Sequence, residues 1–355
     1  MRPYLATFGK VAVLTGVILV AILIILANDL SKRDGVYPSP SVTVQPSPSA
    51  GAPSLSNDPL SLASIRTRQY AASPITLIHS LGSKGGYSQS VVSFVSDGLT
   101  EYALESTPTS TEPAGGYPVI ILMHGYIPPS QYQTTGSDYS DFIAAWARAG
   151  FVVIKPDFRG NGNSQGTAVS GHYSPDYTYD VMNLIASLKQ YRLVNGGRIG
   201  IFGHSMGGHV ALNVAVASPD VKATVLANGV VGSFYDLFYN WPNSPASHDQ
   251  PTSVVTAELN QLLAEHGTPK TDPNYYYQIS AINYVSDIRG PVQIDHDTGD
   301  TTVPYAFSQS LHSVLLANGK KVTFYSYPGN DHQFASPNNH ALLIDRTTSF
   351  FQQNL

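Results

Sequence analysis

The sequence predicts an α/β domain in which helices flank a mainly parallel central sheet. Short, continuous apolar runs recur along the chain, and such runs are typical of strands that are covered on both faces. Helix-like stretches separate these runs, and this alternation favours parallel strands joined by helical crossovers. The chain has 355 residues, of which 42% are hydrophobic, so it can bury a large core.

The predicted elements follow one another in a regular order. The first is a hairpin of two strands, residues 91–95 and 100–104, around a glycine-containing turn at 96–98. Further strands are predicted at 117–123, 151–154, 199–202, 223–226, 292–294 and 322–325. Helices are predicted at 141–149, 179–191, 206–217, 305–318 and 339–352.

One long stretch, residues 229–288, interrupts this alternation. It is rich in aromatic residues, among them Trp241 and the three tyrosines at 275–277. Because connections of this length usually serve a function, we predict a largely helical cap over the active site, with Trp241 as a substrate-binding residue. The alternative is a surface excursion that lies away from the chemistry.

Residues 1–35 are predicted to form an N-terminal membrane anchor. The run 11–27 carries no charged side chain and has about the minimum length that spans a bilayer as a helix. Its end, Ile25-Leu26-Ala27, matches a signal-peptide cleavage site poorly, although a cleaved signal peptide is the alternative. Both interpretations place the rest of the chain outside the cytoplasm. Positive charges lie on both sides of the run, so charge counting does not decide its orientation.

Residues 36–58 are predicted to be a linker, and residues 59–355 the folded domain. The linker is dominated by proline and serine, a composition that buries too little apolar surface to fold and suits an extended spacer.

The composition excludes several classes of function. The sequence has no cysteine, which rules out disulfides, thiolate metal sites and cysteine nucleophiles. A net charge of −5 without a basic cluster does not suit a nucleic-acid partner. No group of residues has metal-ligand spacing, so we expect neither a metal nor another cofactor.

Ser205 is the candidate nucleophile. It lies in the segment GHSMGG at 203–208, between a predicted strand and a predicted helix, which is the context that a G-x-S-x-G nucleophile elbow requires. The flanking glycines avoid clashes in the sharp turn, and the helix N-terminus favours developing negative charge. The alternative is an ordinary turn serine.

A serine nucleophile needs a base and an orienting carboxylate, and Asp300 and His332 are the candidates. Each follows a late predicted strand, where open α/β sheets build their sites, and the chain order serine, acid, histidine suits this arrangement. Asp297 and Asp331 are the alternative acids.

Donors for an oxyanion are expected next to Ser205 and in the loop after the strand 117–123. The backbone N–H groups of Met206 and Tyr126 fill these positions, and Gly125 allows a substrate to approach the backbone closely. Asp157 and Arg159, in a glycine-rich loop, are interpreted as a polar brace beneath the site, with substrate binding as the alternative.

These motifs together resemble a known family. They are HGY at 124–126, PDFRGNGNSQG at 156–166, GHSMGG at 203–208, DTGDTTVP at 297–304 and YPGNDHQF at 327–334. In this order they are similar to the prolyl-oligopeptidase-like and dienelactone-hydrolase-like branch of the α/β hydrolases, over roughly residues 91–355. The resemblance implies the α/β-hydrolase fold. It also implies Asp300 as the triad acid, with Asp297 where this branch usually has glycine, while the chain before the first hairpin is too short for the β-propeller of full-length prolyl oligopeptidases.

The sequence therefore predicts a serine hydrolase that cleaves ester or amide bonds through an acyl-enzyme on Ser205. Its substrate would be a small-molecule ester or a short peptide, with esterase activity first and peptidase activity second. A membrane-tethered binding module without turnover and an acyltransferase are the remaining alternatives.

Overall fold

The computed structural model describes residues 55–242, 253–329 and 331–355, and of 253–256 only the backbone. The predicted membrane segment at 11–27 and most of the predicted linker lie outside these residues. Within the described part, no helix combines the length and the hydrophobicity needed to cross a membrane.

The described residues form nine strands and nine α-helices. The strands are β1 (Thr76–Ser83), β2 (Tyr87–Ser96), β3 (Leu99–Pro108), β4 (Tyr117–Met123), β5 (Val152–Pro156), β6 (Val194–His204), β7 (Val221–Ala227), β8 (Val292–Asp297) and β9 (Val322–Tyr327). The helices are α1 (Leu62–Thr67), α2 (Ser140–Arg148), α3 (Asp176–Leu188), α4 (Met206–Ala217), α5 (Phe234–Tyr239), α6 (Ser253–His266), α7 (Pro273–Ile279), α8 (Tyr305–Ala317) and α9 (Pro337–Asn354). A 3₁₀-helix spans Ala281–Asp287.

The strands form a single sheet in the order β1-β2-β3-β5-β4-β6-β7-β8-β9. The pairs β1–β2, β2–β3 and β3–β5 are antiparallel. The pairs β5–β4, β4–β6, β6–β7, β7–β8 and β8–β9 are parallel. The predicted α/β architecture with a mainly parallel sheet is therefore confirmed. Because β4 to β9 are parallel, their carboxyl ends share one edge of the sheet, and the loops after them meet there.

The central strand β4 shows why the apolar runs predicted buried strands. Every residue of β4 is buried. Val119 and Ile121 join the hydrophobic core on one face of the sheet, whereas Ile120 and Leu122 join the core on the other face. This division follows from the alternation of side chains along a strand, and it requires apolar residues at every position.

The predicted hairpin is confirmed as β2 and β3. Ser96 pairs with Leu99, and the two turn residues Asp97 and Gly98 have φ angles of 51° and 82°. Two consecutive positive φ angles suit the right-handed twist of a tight hairpin. The edge strand β1 was not predicted, because its side chains are mostly exposed and its pairing with β2 is interrupted at 77–79 and again at 80–82.

The long connection between β7 and β8 is helical, as predicted. It contains α5, α6, α7 and the 3₁₀-helix, and residues 243–252 within it are not described. Phe234, Leu259 and Tyr276 form a separate small core with Tyr173 from the loop before α3. We call residues 229–288 the insertion.

A short N-terminal segment, residues 55–67, connects the insertion to the main domain. Leu55 and Leu60 pack on the core of the insertion, whereas Leu62 and Ile65 are buried in the main core. Ser61 caps α1 by accepting a hydrogen bond from the backbone of Ser64 at 3.0 Å. The segment, which we call the N-terminal strap, therefore contacts both cores within a few residues.

Leu62→Ala should lower the free energy of unfolding by about 2–5 kcal/mol, because it removes a fully buried side chain and leaves a cavity. Urea denaturation measures this change. Leu77→Ala, on the exposed edge strand where the side chain is 61% accessible, is the matched control and should change stability by about 0.5 kcal/mol or less. Equal effects of the two substitutions would contradict the packing of the strap.

Candidate active site

Ser205 lies in a strained turn between β6 and α4. Its φ angle is 54°, a left-handed value that is rare for residues other than glycine. A Cβ at Gly203 would lie 2.3 Å from the carbonyl oxygen of Gly207, and a Cβ at Gly207 would lie 2.1 Å from that of Met123. Both glycines are thus required by the packing, and the turn has the form that the sequence predicted.

The side chains of Ser205, His332 and Asp300 form one hydrogen-bonded row. His332 Nε2 lies 2.8 Å from Ser205 Oγ, and His332 Nδ1 lies 2.7 Å from Asp300 Oδ2. The other oxygen of Asp300 accepts hydrogen bonds from the backbone N–H groups of Thr302 and Val303 at 2.8 and 3.0 Å. The structure therefore brings together the three residues that the sequence proposed as nucleophile, base and acid.

The two alternative acids bind other groups. Asp297 accepts hydrogen bonds from the backbone of Gly299 and the side chain of Asn339, both at 3.3 Å. Asp331 accepts hydrogen bonds from the backbone of Gln333 and Ser336 at 3.0 and 2.9 Å. Both therefore shape the loops around His332 through contacts other than its imidazole.

The environment of Asp300 keeps its carboxylate ionised. Burial raises the pKa of this group, but hydrogen bonds from His296 and His332 outweigh burial and hold the pKa well below its ordinary value. His296 is fully buried, with Nε2 at 3.5 Å from Asp300 Oδ2 and Nδ1 at 2.7 Å from Ser308 Oγ. His296 lies four residues before Asp300, and no role of its own was predicted for it from the sequence.

Met206 directly follows Ser205, and the loop that carries the other proposed oxyanion donor, Tyr126, passes close to it. Met206 begins α4, and the N–H groups of a first helical turn have no acceptor within the helix. A Cβ at Gly125 would lie 3.1 Å from Ser205 Cβ, so the loop that carries Gly125 and Tyr126 approaches the nucleophile closely. The Gly125 N–H is itself engaged, since it donates to the Tyr139 hydroxyl at 2.8 Å, and Tyr126 provides the next amide along the chain.

A cavity of about 770 Å³ opens beside Ser205. Its wall combines aromatic and aliphatic side chains with carboxylates and amides. Among its lining residues are Phe142, Phe202, Phe334, Leu343, Gln131, Gln333, Asp138 and Asp141. None of the lining residues is lysine or arginine.

Trp241 lies outside the set of residues that line this cavity. Its indole N–H donates to the carbonyl of Thr302 at 2.6 Å, and its ring packs edge-on against Phe307. Because Thr302 is two residues from Asp300, this hydrogen bond supports the loop that carries the carboxylate. The described residues of the insertion likewise contribute nothing to the cavity wall.

Asp157 and Arg159 make the contacts expected of a polar brace. Arg159 Nε donates to Asp180 Oδ2 at 3.0 Å, which ties the loop after β5 to α3. Asp157 accepts hydrogen bonds from the hydroxyls of Tyr132 at 2.9 Å and of Thr134, both in the loop beside the cavity.

Beside this brace, Glu101 is fully buried on β3. Burial, and then the negative charge of Asp180, raise the pKa of Glu101, so its carboxyl stays protonated in the folded chain at neutral pH. In the unfolded chain a glutamate has a pKa of about 4.3, so above that pH Glu101 binds a proton in the folded state but not in the unfolded state. The contribution of Glu101 to the free energy of unfolding therefore decreases as the pH rises, by up to about 1.4 kcal/mol per pH unit.

Glu101→Gln should remove this contribution. The variant should lose less stability than wild type as the pH rises from about 5 to about 8, as measured by urea denaturation at each pH. Glu112→Gln, at an exposed position, should follow the wild-type curve. Parallel curves for Glu101→Gln and wild type would show that Glu101 is ionised in the folded chain.

Comparison with known proteins identifies relatives of this chain. A family model described as the prolyl oligopeptidase family matches residues 137–355, the range that contains Ser205, Asp300 and His332. Dipeptidyl aminopeptidase BIII of Pseudoxanthomonas mexicana is 23% identical over 247 residues, which is 67% of this chain and 33% of that protein. The uncharacterized peptidase YtmA of Bacillus subtilis (strain 168) is 25% identical over 256 residues, which is 72% of this chain and 90% of that protein.

A solved structure with the same fold is acetyl xylan esterase 1 from Thermoanaerobacterium sp. JW/SL YS485. It aligns with a TM-score of 0.63 at 18% identity, over 88% of this chain and 96% of that one. The chain thus spans a third of the dipeptidyl aminopeptidase but nearly the whole of the esterase.

Proposed function

Because the chain belongs to the prolyl oligopeptidase family of serine hydrolases, we propose that it hydrolyses acyl bonds through an acyl-enzyme on Ser205. The observation that carries this proposal is the row formed by Ser205, His332 and Asp300, with contacts of 2.8 and 2.7 Å. Nucleophile, base and orienting carboxylate in this order are what acyl transfer at neutral pH requires.

In the proposed reaction, Ser205 Oγ attacks the substrate carbonyl while His332 Nε2 takes the hydroxyl proton. Asp300 accepts the Nδ1–H of His332 and so fixes the tautomer in which Nε2 is the base. The backbone N–H groups of Tyr126 and Met206 bind the oxyanion. His332 then returns the proton to the leaving group, and an activated water releases the acyl group from Ser205.

We propose carboxylic esters as the first substrate class. An ester leaving group needs less help from the protonated His332 than an amine does, and the apolar part of the cavity suits a compact acyl or alcohol group. The acetyl xylan esterase, which has nearly the same extent as this chain, supports the choice.

Peptides with a free amino terminus are the second candidate. Asp138 and Asp141 line the cavity, whose wall has no lysine or arginine, and His340 Nε2 lies 3.3 Å from Asp141 Oδ2. A substrate ammonium group would be attracted there, more strongly at low ionic strength. The peptidase names of the two sequence relatives support this candidate.

A panel of chromogenic substrates decides between the two. It pairs p-nitrophenyl esters with aminoacyl p-nitroanilides, the latter both with a free amino group and N-acetylated, and compares kcat/KM after division by each uncatalysed rate. Faster ester cleavage supports the esterase. Faster cleavage of the free-amino anilides than of all others would overturn that order in favour of the aminopeptidase. Adding an alcohol acceptor to the same assay reveals an acyltransferase by the new ester that it forms.

We further propose that residues 11–27 anchor the chain in a membrane and that the catalytic domain lies outside the cytoplasm. The uncharged apolar run and the proline- and serine-rich linker after it support this proposal. Fractionation of cells expressing the full chain tests it. Recovery of activity in the cytosol would contradict it.

A further inference from the structure

A second chain of hydrogen bonds crosses the site behind Ser205. The Gly125 N–H donates to the Tyr139 hydroxyl at 2.8 Å, and the same hydroxyl lies 2.8 Å from His204 Nδ1. The other ring nitrogen, His204 Nε2, lies 2.9 Å from the backbone carbonyl of His332. These hydrogen bonds therefore join the loop of the proposed oxyanion donor Tyr126 to the loop of the proposed base, His332.

The chemistry of these groups allows a single arrangement of their protons. The carbonyl of His332 can only accept, so His204 Nε2 must carry a proton. Burial, and then the neighbouring His332, lower the pKa of His204 to about 4, so the ring is neutral and Nδ1 is an acceptor. The Tyr139 hydroxyl then donates to Nδ1 while it accepts from Gly125.

Asn228 holds the same carbonyl from the other side. Its Oδ1 accepts from the backbone N–H of Asp297 at 2.8 Å, which fixes the orientation of its amide. Its Nδ2 consequently points at the carbonyl of His332, at 2.9 Å. The main chain of the proposed base is thus bound by two side-chain donors, Asn228 and His204.

Backbone strain is concentrated at the same place. Tyr139, Ser205 and Asn228 have φ angles of 64°, 54° and 42°, in the left-handed region that such residues seldom adopt. Left-handed non-glycine residues persist where the surrounding contacts over-determine them, and they cluster at functional sites. For Tyr139, the contacts of its hydroxyl with Gly125 and His204 are among those that hold the residue in this conformation.

We propose that Tyr139 is a positioning residue for acyl transfer, acting through His204 on His332 and directly on the oxyanion loop. This inference rests on the proposed function. By donating to Nδ1, Tyr139 keeps His204 in the tautomer that binds the main chain of His332. By accepting from Gly125, it engages that amide and leaves the amide of Tyr126 for the substrate.

The test is Tyr139→Phe in the full chain, with the best substrate from the panel. Without the hydroxyl, only the carbonyl of His332 still holds the tautomer of His204, and both loops lose a contact. We expect kcat to fall by about tenfold to a hundredfold, since small displacements of catalytic groups cost factors of this size, with KM little changed. Long-range ¹H–¹⁵N spectra of histidine-labelled protein should show His204 protonated at Nε2 in wild type and a changed pattern in the variant.

Tyr70→Phe is the matched control. It removes a tyrosine hydroxyl that donates to the carbonyl of Ile65 at 2.7 Å, in the N-terminal strap. It should lower thermal stability about as much as Tyr139→Phe but leave kcat and the His204 signals unchanged.

His204 provides an independent comparison that does not depend on the folding of Tyr139→Phe. Gln at position 204 can still donate to the carbonyl of His332, whereas Phe cannot, so His204→Gln should keep more activity than His204→Phe. Wild-type kcat in Tyr139→Phe with an unchanged His204 tautomer, or equal activity of the two His204 variants, would overturn the inference. Turnover by wild type and its loss in Ser205→Ala would at the same time leave the proposed function standing.

Discussion

Ser205→Ala should abolish labelling of the protein by a fluorophosphonate probe and lower kcat by about 10⁶-fold. The probe and the substrate both require attack by the serine oxygen, and His332 alone has no nucleophile to activate. Gel fluorescence measures the labelling, and hydrolysis of the best chromogenic ester measures kcat. The fold should persist, because alanine fits where Ser205 lies and the flanking glycines are unchanged.

Ser313→Ala is the control for this experiment. Ser313 lies on α8, where its hydroxyl donates to the carbonyl of Gln309 at 2.9 Å. Its loss should leave labelling and kcat at wild-type values. Absence of labelling in folded wild-type protein would instead favour a binding module that keeps the fold without turnover.

Asp300→Asn should lower kcat by about 10⁴-fold, the second largest effect that we expect. An asparagine no longer favours the proton on Nδ1 of His332, and the imidazole can then present an N–H rather than a lone pair to Ser205. KM should change little, because Asp300 reaches the substrate through the other two residues. Steady-state kinetics over a range of pH measures both parameters.

The same substitution at the neighbouring carboxylates identifies the acid. Asp297→Asn and Asp331→Asn alter loop contacts but leave the carboxylate next to His332 Nδ1 in place. Each should cost far less activity than Asp300→Asn. A larger loss at either of these positions would assign the acid to that residue.

The sequence singled out the three residues of this hydrogen-bonded row as candidates because each follows a recognisable strand. Ser205 directly follows β6, and Asp300 and His332 lie in the loops that follow β8 and β9. Parallel strands bring their carboxyl ends to one edge whatever the details of packing. The apolar runs in these strands were long enough to be recognised without knowledge of their neighbours. Connectivity therefore predicted that these loops approach one another, whereas the choice of Asp300 over Asp297 and Asp331 came from the resemblance.

Residues that act through tertiary contacts carried no such signal. Tyr139 and Asn228 belong to loops whose left-handed backbone depends on partners far away in the sequence. Trp241 was predicted to bind the substrate because it lies in the aromatic insertion that we expected over the site. Its ring packs on Phe307 and its N–H binds the loop of Asp300. An aromatic residue alone does not indicate which of these roles it has.

The strap and the edge strand β1 were missed for a related reason. Residues 55–67 contain a single short helix, and their apolar side chains are divided between two cores, so no helical or strand period emerges. The side chains of β1 are mostly exposed, and the alternation expected of a half-buried strand is absent. A hydrophobic pattern in the sequence predicts a helix or strand only when one face of that element packs against a single core.

The N-terminal strap also limits where a protease can cut the chain and leave the folded domain intact. Cleavage before Leu55 spares every contact that the strap makes with either core. Cleavage beyond Arg66 would remove Leu62 and Ile65 and expose the apolar surface that they cover. A proteolytic fragment that keeps the fold should therefore retain residues 55–66 at its new amino terminus.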